Sequence, residues 1–438
     1  MLIRFAFSLT NEFWFPDQDV LQIYLIGLKS FTTHSYPYFG ADLVYNHSQI
    51  PGALQGFLVS AGWYVWKIPE SPFIVLNILL SASLGLLAWY TSKRLPDLPK
   101  VFIWAYLFLI PWSFCFFTRI VNPSYVIPGA ILFFIAFFET YPLLRVNVVS
   151  KRLSFFLMGF AICWTMQLHL SWILFGPFAA LSFFYLLKGK NWRTTRIGVV
   201  SFLVGCIVSG SLLLPTLLRF GFSPNEGSSS APSTLGLIQV NLENAKELFR
   251  DITMYYGYGS FDITRFIAAH TPERIQFLKD YLWAAPFGVF LALIGIAQVI
   301  FLLYKTARPG REDGMRPLRN MLLLGLAALY GSSLFSKVRV PAHAAVLLFP
   351  LVALFLLHSF RTPLTRKWIQ WFSVAVFFSA IITYAAIGWR NFTTISMYRN
   401  REAIVRALDS SDYTIVGRRR DDAEFNPQAI TAPPGIVP

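Results

Sequence analysis

The chain has 438 residues, 37 Lys and Arg against 22 Asp and Glu, and a formal net charge of +15; 55% of its residues are hydrophobic and only 13% are charged. Soluble domains contain roughly 25% charged residues, so a soluble fold of this size lacks enough charge to cover its surface. The apolar runs are continuous, which argues against the alternating strands of a β-barrel. We therefore expect an all-α polytopic membrane protein.

The first 70 residues contain no complete membrane span. Met1 to Thr10 is apolar but too short to cross a bilayer; we interpret residues 1–10 as a truncated first transmembrane helix, with an interfacial segment as the alternative. Residues 11–70 form the next segment, an external loop. Within this loop, residues 51–66 (PGALQGFLVSAGWYVW) predict a juxtamembrane helix at the membrane surface, because counting them as a span would reverse every later loop.

Ten later apolar runs of 15 to 23 residues are interpreted as membrane spans, which typically need about 17 to 25 residues. With the first helix they predict about 10–11 transmembrane helices. The bundle occupies residues 71–388, with an external loop at 219–281 and a small external C-terminal tail at 389–438. The ten runs are 71–90, 101–118, 123–144, 153–168, 170–187, 197–218, 282–304, 320–335, 344–358 and 368–388.

Clusters of Lys and Arg occupy five short connectors between these runs. Positive connectors face the cytoplasm in most membrane proteins, so the remaining loops are expected to face outward. This distribution also accounts for the positive net charge without a nucleic-acid partner. The five connectors are residues 93–100, 145–152, 188–196, 305–319 and 361–367.

The longest uninterrupted run, residues 153–187, has basic clusters on both sides and no charge except a possible one at His169. A single helix of this length would measure about 52 Å, which exceeds the ~30 Å hydrocarbon core. The run therefore predicts a helical hairpin whose turn lies near Gln167, His169 and Ser171 and faces outward.

The three cysteines, Cys115, Cys163 and Cys206, all lie inside apolar runs. A thiol in such a position usually behaves as a small buried hydrophobic group. The sequence therefore predicts neither a disulfide framework nor a cysteine metal site.

Two carboxylates, Asp17 and Asp19, lie in the segment WFPDQDVLQIYLIG at the outward end of the presumed first helix. Carboxylates this close to hydrocarbon are costly unless they are paired or used in chemistry. The alternative is that they only solvate a helix start, where negative charge is favoured.

Isolated basic groups occur at two further outward positions. Arg119, in FCFFTRIVNPSY, either contacts an anion or extends its side chain to the interface. His169, in MQLHLSW, is either a hydrogen-bonded packing residue or a functional group within the membrane protein.

Lys337, Arg339 and His343 crowd one short outward connector, SKVRVPAH. Two cations that oppose the orientation rule suggest a bound anion, such as a polyprenyl phosphate or a lipid headgroup, with Arg giving bidentate contacts and Lys a point charge. Ordinary anionic lipid is the alternative occupant.

Three segments resemble the GT-C superfamily of polyprenyl-phosphate-sugar-dependent glycosyltransferases, in the family 39-like branch that holds bacterial aminoarabinose transferases and protein O-mannosyltransferases. The acidic residue after the first helix, followed by YPYFGADLVYNHSQIPGAL, is similar to the first external loop of that family. TRIVNPSYVIPGAILFFIAFF and LFSKVRVPAHAAVLLFPLVALFLL are similar to two of its later segments. The resemblance implies a GT-C-like helical bundle.

The resemblance also implies roles for individual residues. Asp17, or its neighbour Asp19, matches the catalytic aspartate, which acts as general base or orients the acceptor hydroxyl. The donor phosphate would be bound by Lys337, Arg339 and Arg119, since fixed cations stabilise the charge that develops there. The substrate-groove candidates are His47, a loose match to the turn of the family, His169, His343 and Tyr256 of the patch YYGYGSFD.

On this resemblance, we expect transfer of a sugar from a polyprenyl-phosphate donor to a lipid, glycan or protein acceptor at the outward face of a bacterial inner membrane. No cofactor or metal is expected: some relatives use a divalent cation, but two nearby aspartates do not complete an oxygen-ligand shell. The alternatives are a lipid or polysaccharide transporter or flippase, and a protein similar to the O-antigen polymerases or ligases.

Overall fold

The computed structural model describes residues 2–12, 18–43, 48–221, 244, 246–268, 270–308, 315–335, 342–394, 401–402, 404–405, 408–409, 414–416 and 435–437. These residues are mainly helical. The α-helices are α1 (Leu2–Glu12), α2 (Gln18–Thr33), α3 (Leu54–Ser60), α4 (Ser71–Arg94), α5 (Lys100–Leu109), α6 (Asn122–Thr140), α7 (Lys151–Met166), α8 (Gly176–Lys188), α9 (Trp192–Gly210), α10 (Leu214–Phe220), α11 (Leu248–Gly257), α12 (Thr264–Ile267), α13 (Thr271–Asp280), α14 (Ala285–Ala307), α15 (Met315–Leu334), α16 (Phe349–Ser359) and α17 (Lys367–Thr394).

Two small antiparallel sheets complete the described elements. Strand β1 (Phe39–Leu43) pairs with β2 (Ser48–Pro51), and β3 (Thr414–Val416) pairs with β4 (Gly435–Val437). The β1–β2 pair and α3 lie between α2 and α4, in the stretch predicted to be an external loop with short helices. The predicted helix at residues 51–66 is present but shorter, since α3 covers only Leu54–Ser60.

The chain is an integral, multi-pass membrane protein. Among the described residues, six helical segments are long and apolar enough to cross a membrane, and two further apolar helices are shorter. The six are Ser71–Arg94, Asn122–Thr140, Leu170–Lys188, Trp192–Phe220, Ala285–Ala307 and Lys367–Thr393. The predicted span at residues 101–118 is divided because Ile110, which precedes Pro111, is extended; a residue before proline is disfavoured in the helical conformation. A π-helical turn, Trp112–Phe116, comes after the break.

The five basic connectors lie at one end of the bundle, which we call the basic end. Arg94 donates a hydrogen bond to the carbonyl oxygen of Leu144, joining the first connector to the second. An ion pair between Asp97 and Arg361 joins the first to the fifth. Because each basic cluster follows or precedes a helix that ends here, the structure supports the alternation of connectors that the charge pattern predicts.

The same end is closed by aromatic contacts. The rings of Tyr141 and Tyr185 lie 5.2 Å apart, next to the second and third connectors. The rings of Phe301 and Phe360 stack at 5.4 Å, between the fourth and fifth connectors. All five basic clusters are thus held together. We call the other end of the bundle the opposite end.

Residues 244–257 enter the bundle from the opposite end and descend beside α15. The side chain of Asn244 donates to the carbonyl oxygen of Ser333 at 2.7 Å, and the Tyr255 hydroxyl donates to the carbonyl oxygen of Leu322 at 3.0 Å. Asn244 and Tyr255 are eleven residues apart, as are Leu322 and Ser333, which is about 16 Å along a helix in each case. The two segments therefore run antiparallel, and α11 penetrates toward the basic end.

The chain then turns and runs back along α14 toward the opposite end. Four contacts follow one another along α14, starting from the basic end. Tyr256 bonds Thr306 (3.0 Å), the amide of Phe261 bonds Gln298 (2.9 Å), Asp262 abuts Gly295, and Ile267 lies near Gly288. We call residues 244–268 the re-entrant hairpin.

The re-entrant hairpin belongs to the stretch that the sequence pattern assigns to an external loop, residues 219–281. The structure buries much of the hairpin between α5, α14, α15 and α17. Tyr255, Tyr258, Ser260 and Ile263 are each at most 1% exposed. The hydroxyl of Tyr106 on α5 donates to the carbonyl oxygen of Gly259 at the turn. The aromatic and glycine residues of YYGYGSFD are thus packing residues.

Candidate functional site

The predicted hairpin turn between α7 and α8 is confirmed. Helix α7 ends at Met166, and a 3₁₀ helix begins at Leu170 and continues into α8. His169 caps this 3₁₀ helix: its backbone is extended, and its Nδ1 accepts a hydrogen bond from the Ser171 amide at 3.1 Å. Because Nδ1 is an acceptor, the neutral imidazole carries its proton on Nε2.

Gln167 fixes this turn to the neighbouring helix. Its amide nitrogen donates to the carbonyl oxygens of Ser209 (2.8 Å) and Cys163 (3.1 Å), so it bridges the ends of α9 and α7. Gly52, at the end of β2, packs against the same side chain: an added Cβ would lie 2.8 Å from Gln167, and the φ of Gly52 is +118°. The strand pair β1–β2 therefore rests on the turn that carries His169.

Two further segments meet His169 at the opposite end. The His343 ring, in the 3₁₀ helix Ala342–Leu348, lies 6.5 Å from the His169 ring in an edge-on arrangement. The ring of Phe116 stacks on His343 at 6.3 Å, and the carbonyl oxygen of Phe116 accepts a hydrogen bond from the Arg119 amide. We call Arg119, His169 and His343 the opposite-end cluster.

The electrostatics of this cluster favour a neutral His169. Burial lowers the pKa of the His169 imidazole to about 4, and the neighbouring His343 contributes to this shift. His169 is therefore uncharged near pH 7 and presents an N–H donor, while His343 is exposed to solvent. The His169 and His343 rings thus lie near each other at the end away from the basic connectors, and the backbone of Arg119 is joined to Phe116, whose ring stacks on His343.

Aromatic residues of the first loop pack near the cluster. The Tyr36 hydroxyl donates to the carbonyl oxygen of Leu212 at 2.6 Å, and Thr216 donates to the carbonyl oxygen of Tyr38 at 2.7 Å. The guanidinium of Arg219 lies 4.7 Å above the Tyr38 ring. These contacts hold the first loop against α10 and add a cation near the same end.

Several predicted site residues lie outside the described residues: Asp17, His47, Lys337 and Arg339. Asp19 lies in the first turn of α2. From the predicted set, the structure brings His169 and His343 together, and Arg119 follows three residues after Phe116, whose ring stacks on His343. Tyr256 is separated from them, because its hydroxyl bonds Thr306 near the basic end of α14 and its side chain is 1% exposed.

One charged residue that the sequence pattern did not single out lies within the bundle. Arg4 on α1 is 2% exposed, and its three guanidinium nitrogens have no hydrogen-bond partner among the described residues. Arg4 and Arg119 both act electrostatically on the thiol of Cys115. A basic residue inside a short apolar run was the only available signal, and that signal alone does not separate a buried guanidinium from an interfacial one.

The described residues do not form a conventional metal site. Within that part of the chain, no group of three or more His, Cys, Asp or Glu side chains converges. The cluster suits hydrogen bonding to, and charge neutralisation of, an anionic or polar ligand.

A comparison of backbones relates the chain to a protein of known structure. ArnT from Cupriavidus metallidurans, crystallised with undecaprenyl phosphate, matches 93% of this chain and 76% of its own chain, with a TM-score of 0.50 and 12% sequence identity. The chain shares the ArnT fold. The GT-C-like helical bundle predicted from the sequence is thereby confirmed. No family model and no curated protein sequence matches the chain.

Proposed function

We propose that the chain is a membrane glycosyltransferase that moves a sugar from a polyprenyl-phosphate donor to a lipid, glycan or protein acceptor at the outward face. The observation that carries this proposal is the ArnT-like fold over 93% of the chain, since that ArnT structure is bound to undecaprenyl phosphate. The opposite-end cluster supports it, because basic and hydrogen-bonding groups from distant segments meet at the end away from the positive connectors.

In the proposed reaction, an acceptor hydroxyl attacks the anomeric carbon as the bond to the donor phosphate breaks. Asp17 or Asp19 takes the proton from the hydroxyl. Arg119, with Lys337 and Arg339 from the neighbouring connector, neutralises the negative charge that grows on the phosphate. Direct displacement inverts the configuration at the sugar.

The histidines have separate roles in this proposal. A neutral His169 donates its Nε2 hydrogen to a sugar or phosphate oxygen without adding charge. His343, which is exposed, faces the solvent side of the same site. The reaction as proposed uses these side chains and requires no divalent cation.

The re-entrant hairpin favours an enzyme over the transporter alternative. Alternating access requires parts of the bundle to move about a central site. Here the hairpin fills the interior from the opposite end toward the basic end, and it is hydrogen-bonded to α5, α14 and α15 through Tyr106, Gln298 and Leu322. A path for a headgroup through this part of the bundle would require the whole hairpin to leave.

Lipid copurification tests the donor. Native mass spectrometry of the detergent-purified protein is expected to detect a polyprenyl phosphate, and Arg119→Ala and Lys337→Ala are each expected to retain about tenfold less, because one charge-assisted hydrogen bond contributes roughly 1.5–3 kcal/mol. Arg145→Ala is the matched control, since this exposed arginine lies at the basic end. Equal loss in the control, or only bulk phospholipid in the wild type, would contradict the proposal.

The chemical step is tested separately. The double variant Asp17→Asn, Asp19→Asn is expected to retain the lipid but to lose transfer of the sugar in cells, because it keeps the shape of both side chains and removes the base. The single variants then show which aspartate is required. Full function in the double variant would disprove the proposed base and would favour the transporter or the polymerase and ligase alternatives.

A further inference from the structure

Two of the three cysteines face each other across a helix pair. Cys163 lies on α7 and Cys206 on α9. The Cys206 thiol donates to the carbonyl oxygen of Gly159, one turn before Cys163, with an S–O distance of 3.6 Å. On the other helix, a Cβ added to Gly210, one turn after Cys206, would lie 3.8 Å from the sulfur of Cys163. The pair therefore forms part of the α7–α9 interface.

The backbones of these two helices are in direct contact beside the cysteines. A Cβ added to Gly159 would lie 2.1 Å from the carbonyl oxygen of Phe202, and one added to Gly205 would lie 2.1 Å from that of Phe156. Glycines at such positions let helices approach closely in membrane proteins. A disulfide requires Cβ atoms only about 3.8 Å apart, and this close crossing brings the cysteine backbones near each other.

The surroundings of the pair differ from those of the third cysteine. Cys163 and Cys206 are half-buried, whereas Cys115 is 4% exposed within the π-helical turn. Cys163 lies three residues before the end of α7, about 4.5 Å along the helix.

We propose that Cys163 and Cys206 form an intramolecular disulfide that fastens α7 to α9. In its formation each thiol gives up one proton and one electron, and one S–S bond forms. A disulfide-bearing thiol oxidant takes up the two electrons and two protons and leaves as a dithiol. Such oxidants operate in extracytoplasmic compartments.

The disulfide lies directly beneath the opposite-end cluster. Gln167 already bridges the carbonyl oxygens of Cys163 and Ser209, and His169 follows it by two residues. A covalent bond at the same crossing fixes the separation of the two carbonyl groups that hold Gln167. Oxidation therefore rigidifies the turn that positions His169, whatever reaction the cluster performs.

Thiol counting tests the bond. The purified full-length protein is treated with oxidised glutathione, denatured, labelled with N-ethylmaleimide and weighed intact. The wild type is expected to take up one label before reduction and three after it. Cys115→Ser is expected to take up none before reduction and two after it, and Cys163→Ser two in both states.

Three labels on the oxidised wild type, a glutathione adduct that persists on Cys163 or Cys206, or a reducible dimer on a gel would each overturn the proposal. Hydrogen exchange then tests the consequence. Peptides covering residues 164–171 are expected to exchange at least threefold more slowly in the oxidised wild type than in the reduced protein, with no such change in Cys163→Ser. Unchanged exchange in a protein with one label would disprove the rigidification.

Discussion

Two parts of the molecule, the re-entrant hairpin and the opposite-end cluster, carry polar and aromatic groups, and they use these groups differently. In the re-entrant hairpin, the hydroxyls of Tyr255 and Tyr256 and the turn at Gly259 are bonded to neighbouring helices. In the opposite-end cluster, His169 uses Nδ1 to cap its own turn and leaves Nε2 as a donor, while His343 is exposed. The hairpin hydroxyls are thus used for packing within the bundle, whereas the proposed binding role rests on the donor of His169 and on His343.

The largest expected effect comes from a substitution at Gly295, where the re-entrant hairpin packs against α14. An alanine Cβ at Gly295 would lie 2.4 Å from the Cα of Asp262, a distance that such atoms essentially never adopt. We expect Gly295→Ala to destabilise the protein by about 3 kcal/mol, measured as a lower melting temperature in detergent. Gly331→Ala is the matched control, since nothing described lies within 4 Å of its added Cβ. Equal melting temperatures for both variants would show that the hairpin is not packed as described.

A smaller effect concerns the pH dependence of the cluster. Because the pKa of His169 is lowered to about 4 from 6.5, the unfolded state binds the proton more readily, and the stability contributed by neutral His169 is lost as pH falls from 6.5 toward 4. Between pH 7.5 and pH 5.5 the wild type is expected to lose about 1 kcal/mol more than His169→Gln. Parallel pH profiles of melting temperature would contradict a buried, neutral imidazole.

The smallest effect separates the two regions by function. Tyr255→Phe removes one buried hydrogen bond to Leu322 and is expected to cost about 1 kcal/mol of stability. The same variant is expected to retain polyprenyl phosphate at the wild-type level, in contrast to Arg119→Ala. Lipid loss in Tyr255→Phe at unchanged stability would place the hairpin in the binding site instead.

The sequence was sufficient to predict those features whose signal lies within one segment of the chain. Charge clusters predict the connectors that Arg94 and Arg361 hold together, and the length of the charge-free run predicts the turn at His169. These features depend on hydrocarbon thickness and on the cost of burying charge, which act on each segment separately. The GT-C-like fold class, in contrast, was implied by the resemblance of three segments to a known family.

The sequence was insufficient where burial depends on distant partners. YYGYGSFD contains an aspartate and short polar groups, so it is typical of an exposed loop. Its burial requires Tyr106, Gly295 and Gln298, which lie far away along the chain and provide a groove of the right width. The cysteine pair is a similar case, since its contact depends on the crossing of α7 and α9. Asp17 and Lys337 lie outside the described residues, and their roles stay predictions.

The position of the re-entrant hairpin in the sequence affects how the protein is assembled. It precedes α14 and α15 in sequence, yet Tyr255 and Gln298 show that it packs against both. Residues 244–268 are thus synthesised before α14 and α15, although one partner, Tyr106 on α5, precedes them. The segment can reach its final packing only after these two later helices have been made. Final assembly is therefore a post-insertion event, and a ribosome stalled before α14 is expected to leave this segment open to protease.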